Sequence, residues 1–198
     1  VAWDTEGTQR RLRDAALVEF AERGFDGTTV ASIAARAGVN KERLYSYFGD
    51  KAALWALVLA TELERLASAV ALSGVGLDDV GSFAGATFDY HVAHPELARL
   101  LQWEGLQGSP PADETRRTIH YRRKVEQFAE AQRSGLLDDG LDPAHLVFAL
   151  IALAAWWQAV PQLASMITGT GADDERERAR RRAFVVEAGR RLASPSRV

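Results

Sequence analysis

The sequence predicts an all-α protein, and three observations carry that expectation. Apolar residues recur at spacings of three and four through nearly every segment, β-branched runs of period two are absent, and proline and glycine cut the chain into pieces of helical length. About nine helices follow. The first is expected from about Thr8 to Arg23, with Leu12, Ala16 and Phe20 on one stripe and Gly24 as its stop. The second starts after Thr29, whose hydroxyl can cap the amide of Ala31 or Ser32; it turns Val30, Ile33, Ala34 and Ala37 inward and ends at Gly38. A short third helix has Asn40 as its cap and reaches about Phe48, and a fourth begins near Asp50 and continues to about Leu72.

Beyond the loop "LSGVGLDDVGS" (72–82), Asp78 or Asp79 caps a helix that reaches His94, and Pro95 opens the next, "PELARLLQWEGL", to Leu106. The break "QGSPPAD" separates these from a strongly charged helix over about Glu114 to Arg133. After "SGLLDDGLDP" come the two final helices, Pro143 to about Ile167 and about Asp174 to Leu192, joined by "TGTGAD". Pro161 should kink the first of them or end its first part. There is no internal repeat.

Composition excludes several kinds of function. The 198 residues suffice for a real core and for one or two domains, and 47% hydrophobic with 26% charged residues is ordinary for a soluble globular chain. With no cysteine there is no disulfide framework, thiolate chemistry or cysteine-based zinc site, and the four histidines (His91, His94, His120, His145) share no metal-ligand spacing. No nucleophile with a paired base and no glycine-rich phosphate loop after a strand is present, so no enzymatic activity, metal or cofactor is expected. The start, "VAWDTEGTQRRLRD", is polar where a signal peptide would be apolar. The longest apolar run, Leu146 to Val160, falls short of the roughly 18 residues of a spanning helix. A cytoplasmic protein without a membrane partner is expected.

The net charge of −3 argues against a wholesale polyanion binder, but Arg36 to Lys51 holds four basic and two acidic residues, a local +2. Three helices in the first 50 or so residues, the last two joined through "ARAGVN", match a helix-turn-helix unit. Leu44 and Phe48 form the buried stripe of the third helix, with Val39 beneath the turn. Lys41 and Tyr45 then share one outward row and Arg43 and Tyr47 another, with Glu42 and Ser46 between. Two tyrosines could serve as half-buried core; offered outward among Lys, Arg and Ser, they suit a DNA major groove. There Lys41 can donate to guanine O6 or N7, and Tyr45 can meet a thymine methyl or a phosphate. Arg43 and Tyr47 are placed for the backbone, and Thr29 and Lys51 for phosphates on either side.

Residues 8 to 54 resemble the DNA-binding region of the TetR family, the tetracycline-repressor-like transcriptional regulators. The likeness lies in "RGFDGTT", "IAARAGV", "LYSYF" and the lysine and leucine of "DKAAL". It implies a helix-turn-helix domain over 8–54 and a helical ligand-binding and dimerisation domain over 55–198. It also implies that Thr29 caps the second helix and touches phosphate, that Lys41, Glu42 and Arg43 open the recognition helix after Asn40, and that Tyr45, Tyr47 and Lys51 anchor the DNA backbone. Many members carry small or polar residues at the positions of Glu42 and Arg43. Here Arg43 can reach a base or a phosphate, and Glu42 can accept from cytosine N4 or repel the backbone.

A symmetric dimer would read two half-sites of double-stranded, palindromic DNA. Leu146, Leu150, Leu153 and Trp157 form one candidate row for its seam and Phe184, Ala188 and Leu192 another, unless these rows pack within their own domain. Phe88, His91, Trp103, Tyr121, Phe128 and Trp156 are candidates for an apolar pocket, with Glu104 as a carboxylate needing His91 or Arg99 as partner. The expected function is a homodimeric repressor released from its operator by a small apolar or amphipathic effector, with the fourth helix (Trp55, Leu59, Leu66) as lever. The alternative is a helical carrier or interaction module without DNA binding.

Overall fold

The computed structural model describes residues 5–72, 74–107, 111–171 and 174–195. Parts of four expected features lie outside the described residues: the first four positions, Ser73, residues 108–110 of "QGSPPAD" and residues 172–173 of "TGTGAD". The described residues form ten α-helices and no strand: α1 (Thr5–Gly27), α2 (Val30–Ala37), α3 (Lys41–Phe48), α4 (Lys51–Ala69), α5 (Leu77–Ala93), α6 (Pro95–Gln107), α7 (Glu114–Arg133), α8 (Pro143–Ala159), α9 (Pro161–Thr168) and α10 (Glu175–Ala193). The extra helix relative to the expected nine comes from Pro161. Val160 leaves helical geometry (φ −133°, ψ 60°), Pro161 takes the first helical position of α9, and the two axes bend by 88°.

The chain divides into two compact units, Val1–Arg65 with Glu96–Glu114, and Leu66–Pro95 with Thr115–Val198. In the first, Leu12, Ala16 and Phe20 of α1, Ile33 and Ala34 of α2, Leu44 of α3 and Leu54 and Leu59 of α4 are buried. The Trp55 indole meets the Phe20 ring edge-on at 5.0 Å and the Phe25 ring at 6.0 Å, tying α4 to the end of α1.

In the second unit α5 packs against α10 and α8. Small residues set the closeness of that packing: a Cβ on Gly85 would stand 2.8 Å from Val186 Cγ2, and one on Gly81 2.9 Å from Arg190 Nε. Ala84, Phe88, Ala154 and Val185 form the core of this unit, covered by Val92, Leu153 and Trp157. Two ion pairs bridge α5 and α10, Arg182 to Asp89 at 2.7 Å and Arg190 to Asp78 at 2.8 Å. All four partners are substantially exposed, so they set register more than stability.

The expected dimer row on α8 needs correction. Leu146 and Leu150 are 1% and 0% exposed, turned into their own unit, and Leu153 packs on its core; the large apolar side chains left outward on α8 are Phe148 and Trp156, at 74% and 58%. Because α8 is apolar on every side, its sequence holds no stripe that distinguishes the inner face from the outer. On α10 the expected row is outward: Phe184 and Leu192 are exposed and Ala188 is half-buried. Trp157 lies between, half-buried, edge-on to Phe184 at 6.2 Å and beneath the Arg181 guanidinium.

The packing generates a paired prediction. Gly85→Ala inserts a methyl group against a stiff valine and should cost about 1–3 kcal/mol of stability. Gly105→Ala in α6, whose Cβ would meet nothing within 4 Å, should be neutral or stabilise by about 0.5–1 kcal/mol. Chemical denaturation of the two variants checks both signs.

Candidate nucleic-acid interface

The outward face of α3 is positioned by a joint between α1, α2 and α4. Gly24 (φ 67°, ψ −177°) breaks the helical run of α1 before one further turn. The backbone groups around this kink are met by side chains. The buried Thr28 hydroxyl lies 2.7 Å from the Gly24 carbonyl and 2.9 Å from that of Glu19, so its one proton is shared between them. Lys51 Nζ donates to the Phe25 carbonyl at 2.7 Å and the Thr28 carbonyl at 2.9 Å, with the Phe25 ring 4.1 Å away. From α6, Trp103 Nε1 donates to the Ala21 carbonyl at 3.3 Å, and its indole occupies the space where a Cβ on Gly24 would stand.

Thr29 then caps α2 in a reciprocal pair: the Ser32 amide donates to Thr29 Oγ1 at 3.0 Å and the Thr29 amide to Ser32 Oγ at 3.3 Å. Arg36 fixes α2 on α1, its Nε donating to Glu19 at 2.7 Å while Arg23 meets the same carboxylate at 3.0 Å. Burial works to raise the Glu19 pKa, but hydrogen bonds from Arg36 and Ser32 and the charges of Arg23 and Arg36 outweigh it and hold the pKa below the usual carboxylate range. Gly38 (φ 65°, ψ 35°) ends α2 in the left-handed conformation. Its amide reaches the Ala35 carbonyl at 3.2 Å, and the Val39 amide reaches that of Ala34 at 3.0 Å.

The turn delivers α3 with Leu44 fully buried and Val39 and Phe48 half-buried beneath it. Lys41, Glu42, Tyr45 and Ser46 are exposed together, Tyr45 at 51%. Arg43 is half-buried and donates to the Tyr47 hydroxyl at 3.2 Å, which braces the second row along the helix. Asn40 stands at the N-cap position but its side chain makes no capping bond, so the expected cap is supplied by position alone. At the next helix start, Asp50 accepts from the Ala53 amide at 2.7 Å.

Two family models cover this architecture, one described as bacterial regulatory proteins, tetR family, over residues 12–58, and one as the tetracyclin repressor-like C-terminal domain over residues 79–191. The chain belongs to the TetR family. It is 39% identical over 172 residues to the HTH-type transcriptional repressor SCO4008 of Streptomyces coelicolor, spanning 86% of this chain and 88% of that relative. It is 30% identical to the HTH-type transcriptional regulator RutR of Escherichia coli K12 over 84% of this chain and 81% of that relative. The crystal structure of SCO4942 from Streptomyces coelicolor superposes with a TM-score of 0.80 at 32% identity, covering 96% of this chain and 99% of that one. As a TetR-family member the chain is a helix-turn-helix, DNA-binding transcriptional regulator and not an enzyme. No single helix among the described residues is long and apolar enough to cross a membrane.

Within this TetR regulator the seven residues expected at a pocket do not share one unit. Phe88, His91 and Phe128 are buried in the second unit, at 1%, 1% and 0% exposure; Tyr121 and Trp156 of the same unit are exposed. Trp103 and Glu104 belong to the first unit. Trp103 is committed to the α1 kink because an indole N–H needs an acceptor, and the Ala21 carbonyl provides one. Glu104 accepts from the Ala112 amide at 2.8 Å. Burial, reinforced by the charge of His94, pushes the His91 pKa down. The ammonium of Lys51, a residue expected at a phosphate, donates to two carbonyls of the joint. Glu19, Arg36 and Thr28 were missing from the expected site; the signal for Glu19 and Thr28 is a carboxylate and a hydroxyl on either side of the glycine at position 24, and Arg36 carries none.

Two expected outcomes follow. Lys51→Met should lower stability by about 1–3 kcal/mol through lost charge-assisted hydrogen bonds, whereas Lys41→Ala should leave the melting temperature unchanged; differential scanning calorimetry separates them. Glu19 contributes stability that is present above its ordinary pKa of 4.5 and lost as pH falls through its lower folded value. Melting temperatures measured from pH 6 down to pH 3 should therefore fall more steeply in the wild type than in Glu19→Gln, which starts lower.

Proposed function

We propose that the chain is a homodimeric repressor whose α3 face reads a palindromic operator and whose second unit receives a small effector that releases it. The observation that carries this reading is the exposed set Lys41, Glu42, Tyr45 and Ser46 on a helix whose opposite side is anchored by buried Leu44. An ammonium, a carboxylate, a phenol and a hydroxyl on one groove-sized helix suit base edges and phosphates, and they have no folding role in the protomer. Asn40, with its uncapped side chain, and the braced Arg43–Tyr47 pair extend this surface along both ends of α3.

Dimerisation is supported by the apolar side chains left outward on α8 and α10, namely Phe148, Trp156, Phe184 and Leu192, a surface that ordinarily needs cover. Repression follows the name of the Streptomyces coelicolor relative, a transcriptional repressor. The effector is taken to be apolar or amphipathic because the second unit that would receive it is rich in aromatic side chains, with Phe88 and Phe128 buried and Tyr121 and Trp156 exposed.

Selection of bound duplexes from a random library, followed by affinity measurements at two salt concentrations, tests the proposal. A palindromic site and a steep inverse salt dependence are expected; failure to enrich any sequence from ligand-free protein would reject it. On the selected duplex, Tyr45→Ala should weaken binding about tenfold, or ~1.4 kcal/mol, without loss of melting temperature, and Lys41→Ala should change the preferred sequence.

A further inference from the structure

The second unit contains a largely buried cation that has no counter-ion among the described residues. Lys124 of α7 is 8% exposed, and its Nζ lies 4.0 Å from the centre of the Phe83 ring on α5. Among the described residues this ring is its one close partner: no carboxylate, carbonyl or hydroxyl accepts from it. A buried ammonium is normally paired, because desolvation is costly and a ring face offsets only part of that cost. Burial alone pushes its pKa down to about 8, and no acid acts on it. The group therefore still carries its charge at neutral pH.

The surroundings repeat the pattern. One turn earlier on α7, His120 is half-buried, and its pKa is pushed down by burial and then by Lys124 and Arg123, so the local potential is positive. One turn later, Phe128 is fully buried. On α5, eight residues or about 12 Å beyond Phe83, His91 is 1% exposed and its Nδ1 has no hydrogen-bond partner among the described residues. An unpaired cation, an unpaired imidazole nitrogen and phenylalanine side chains thus stand on two helices of one unit.

We infer that Lys124 is the anion-recognising group of the effector site and that the effector is a small monocarboxylate with an apolar body. This rests on the ligand-responsive reading above and narrows it to a chemical class. The carboxylate takes the place of the missing counter-ion at Nζ, and the apolar body lies toward Phe83 and Phe128. Monocarboxylates suit the site better than dianions, because one ammonium offers one charge and the nearby His120 imidazole has its pKa pushed down by burial and by Lys124.

The test uses the full chain and four probes, butyrate, octanoate, benzoate and 1-naphthoate, each paired with its primary amide, read by thermal shift and calorimetry. At least one carboxylate should raise the melting temperature of the wild type while its amide does not, and Lys124→Met should weaken that carboxylate at least tenfold. Lys124→Met should itself melt no lower than the wild type, since it removes an unpaired buried charge, and Lys124→Arg should keep part of the binding. The inference is overturned if none of the four carboxylates binds, if amides bind as well, or if Lys124→Met binds undiminished. A carboxylate that binds through Lys124 yet leaves the operator complex intact would keep this assignment and overturn the effector reading. Release of the operator by ligands indifferent to Lys124 would do the reverse.

Discussion

The structure depends on how the broken end of α1 satisfies its backbone. A left-handed glycine at position 24 interrupts the helix inside a packed unit, and the polar groups around it cannot be left without partners. Side chains from three other elements meet them: Thr28 from the turn before α2, Lys51 from the first residue of α4 and Trp103 from α6. Each donates to a different part of the same short stretch. The joint therefore fixes α1, α2 and α4 together before any residue of α3 is considered.

That constraint gives α3 its freedom. With Leu44 as its buried anchor and the left-handed Gly38 setting the turn, the helix needs nothing from Lys41, Glu42, Tyr45 or Ser46 to hold its place. This division separates the residues that hold α3 in place from those it leaves exposed. Lys51 and Arg36 belong to the first group: the Phe25 and Thr28 carbonyls hold the Lys51 ammonium, and the Glu19 carboxylate holds the Arg36 guanidinium.

The N-terminal helices were legible in the sequence because each boundary residue has a narrow job. Gly24 and Gly38 take positive φ, Thr29 caps with Ser32, and Leu44 alternates with exposed polar neighbours. Other features depend on distance or on a choice between equivalent faces. Trp103 finds its acceptor 82 residues away and Arg36 its carboxylate 17 residues away, separations at which periodicity carries no information. The inner face of α8 is chosen by its neighbours, where Gly81 and Gly85 of α5 let α10 approach. An apolar helix without a stripe cannot announce that choice. The pocket candidates divided for the same reason: aromatic side chains at helical spacing signal burial, not the unit in which they are buried.

Amide hydrogen exchange of the protein, free and bound to its selected duplex, tests most directly the claim that the joint is built before DNA arrives. The account predicts that amides from Ala21 to Val39 are already strongly protected in the free protein, with new protection on binding confined to α3 and the ends of α2 and α4. If the Gly24–Thr28 stretch exchanges freely until duplex is added, the joint is formed by DNA and the account is contradicted.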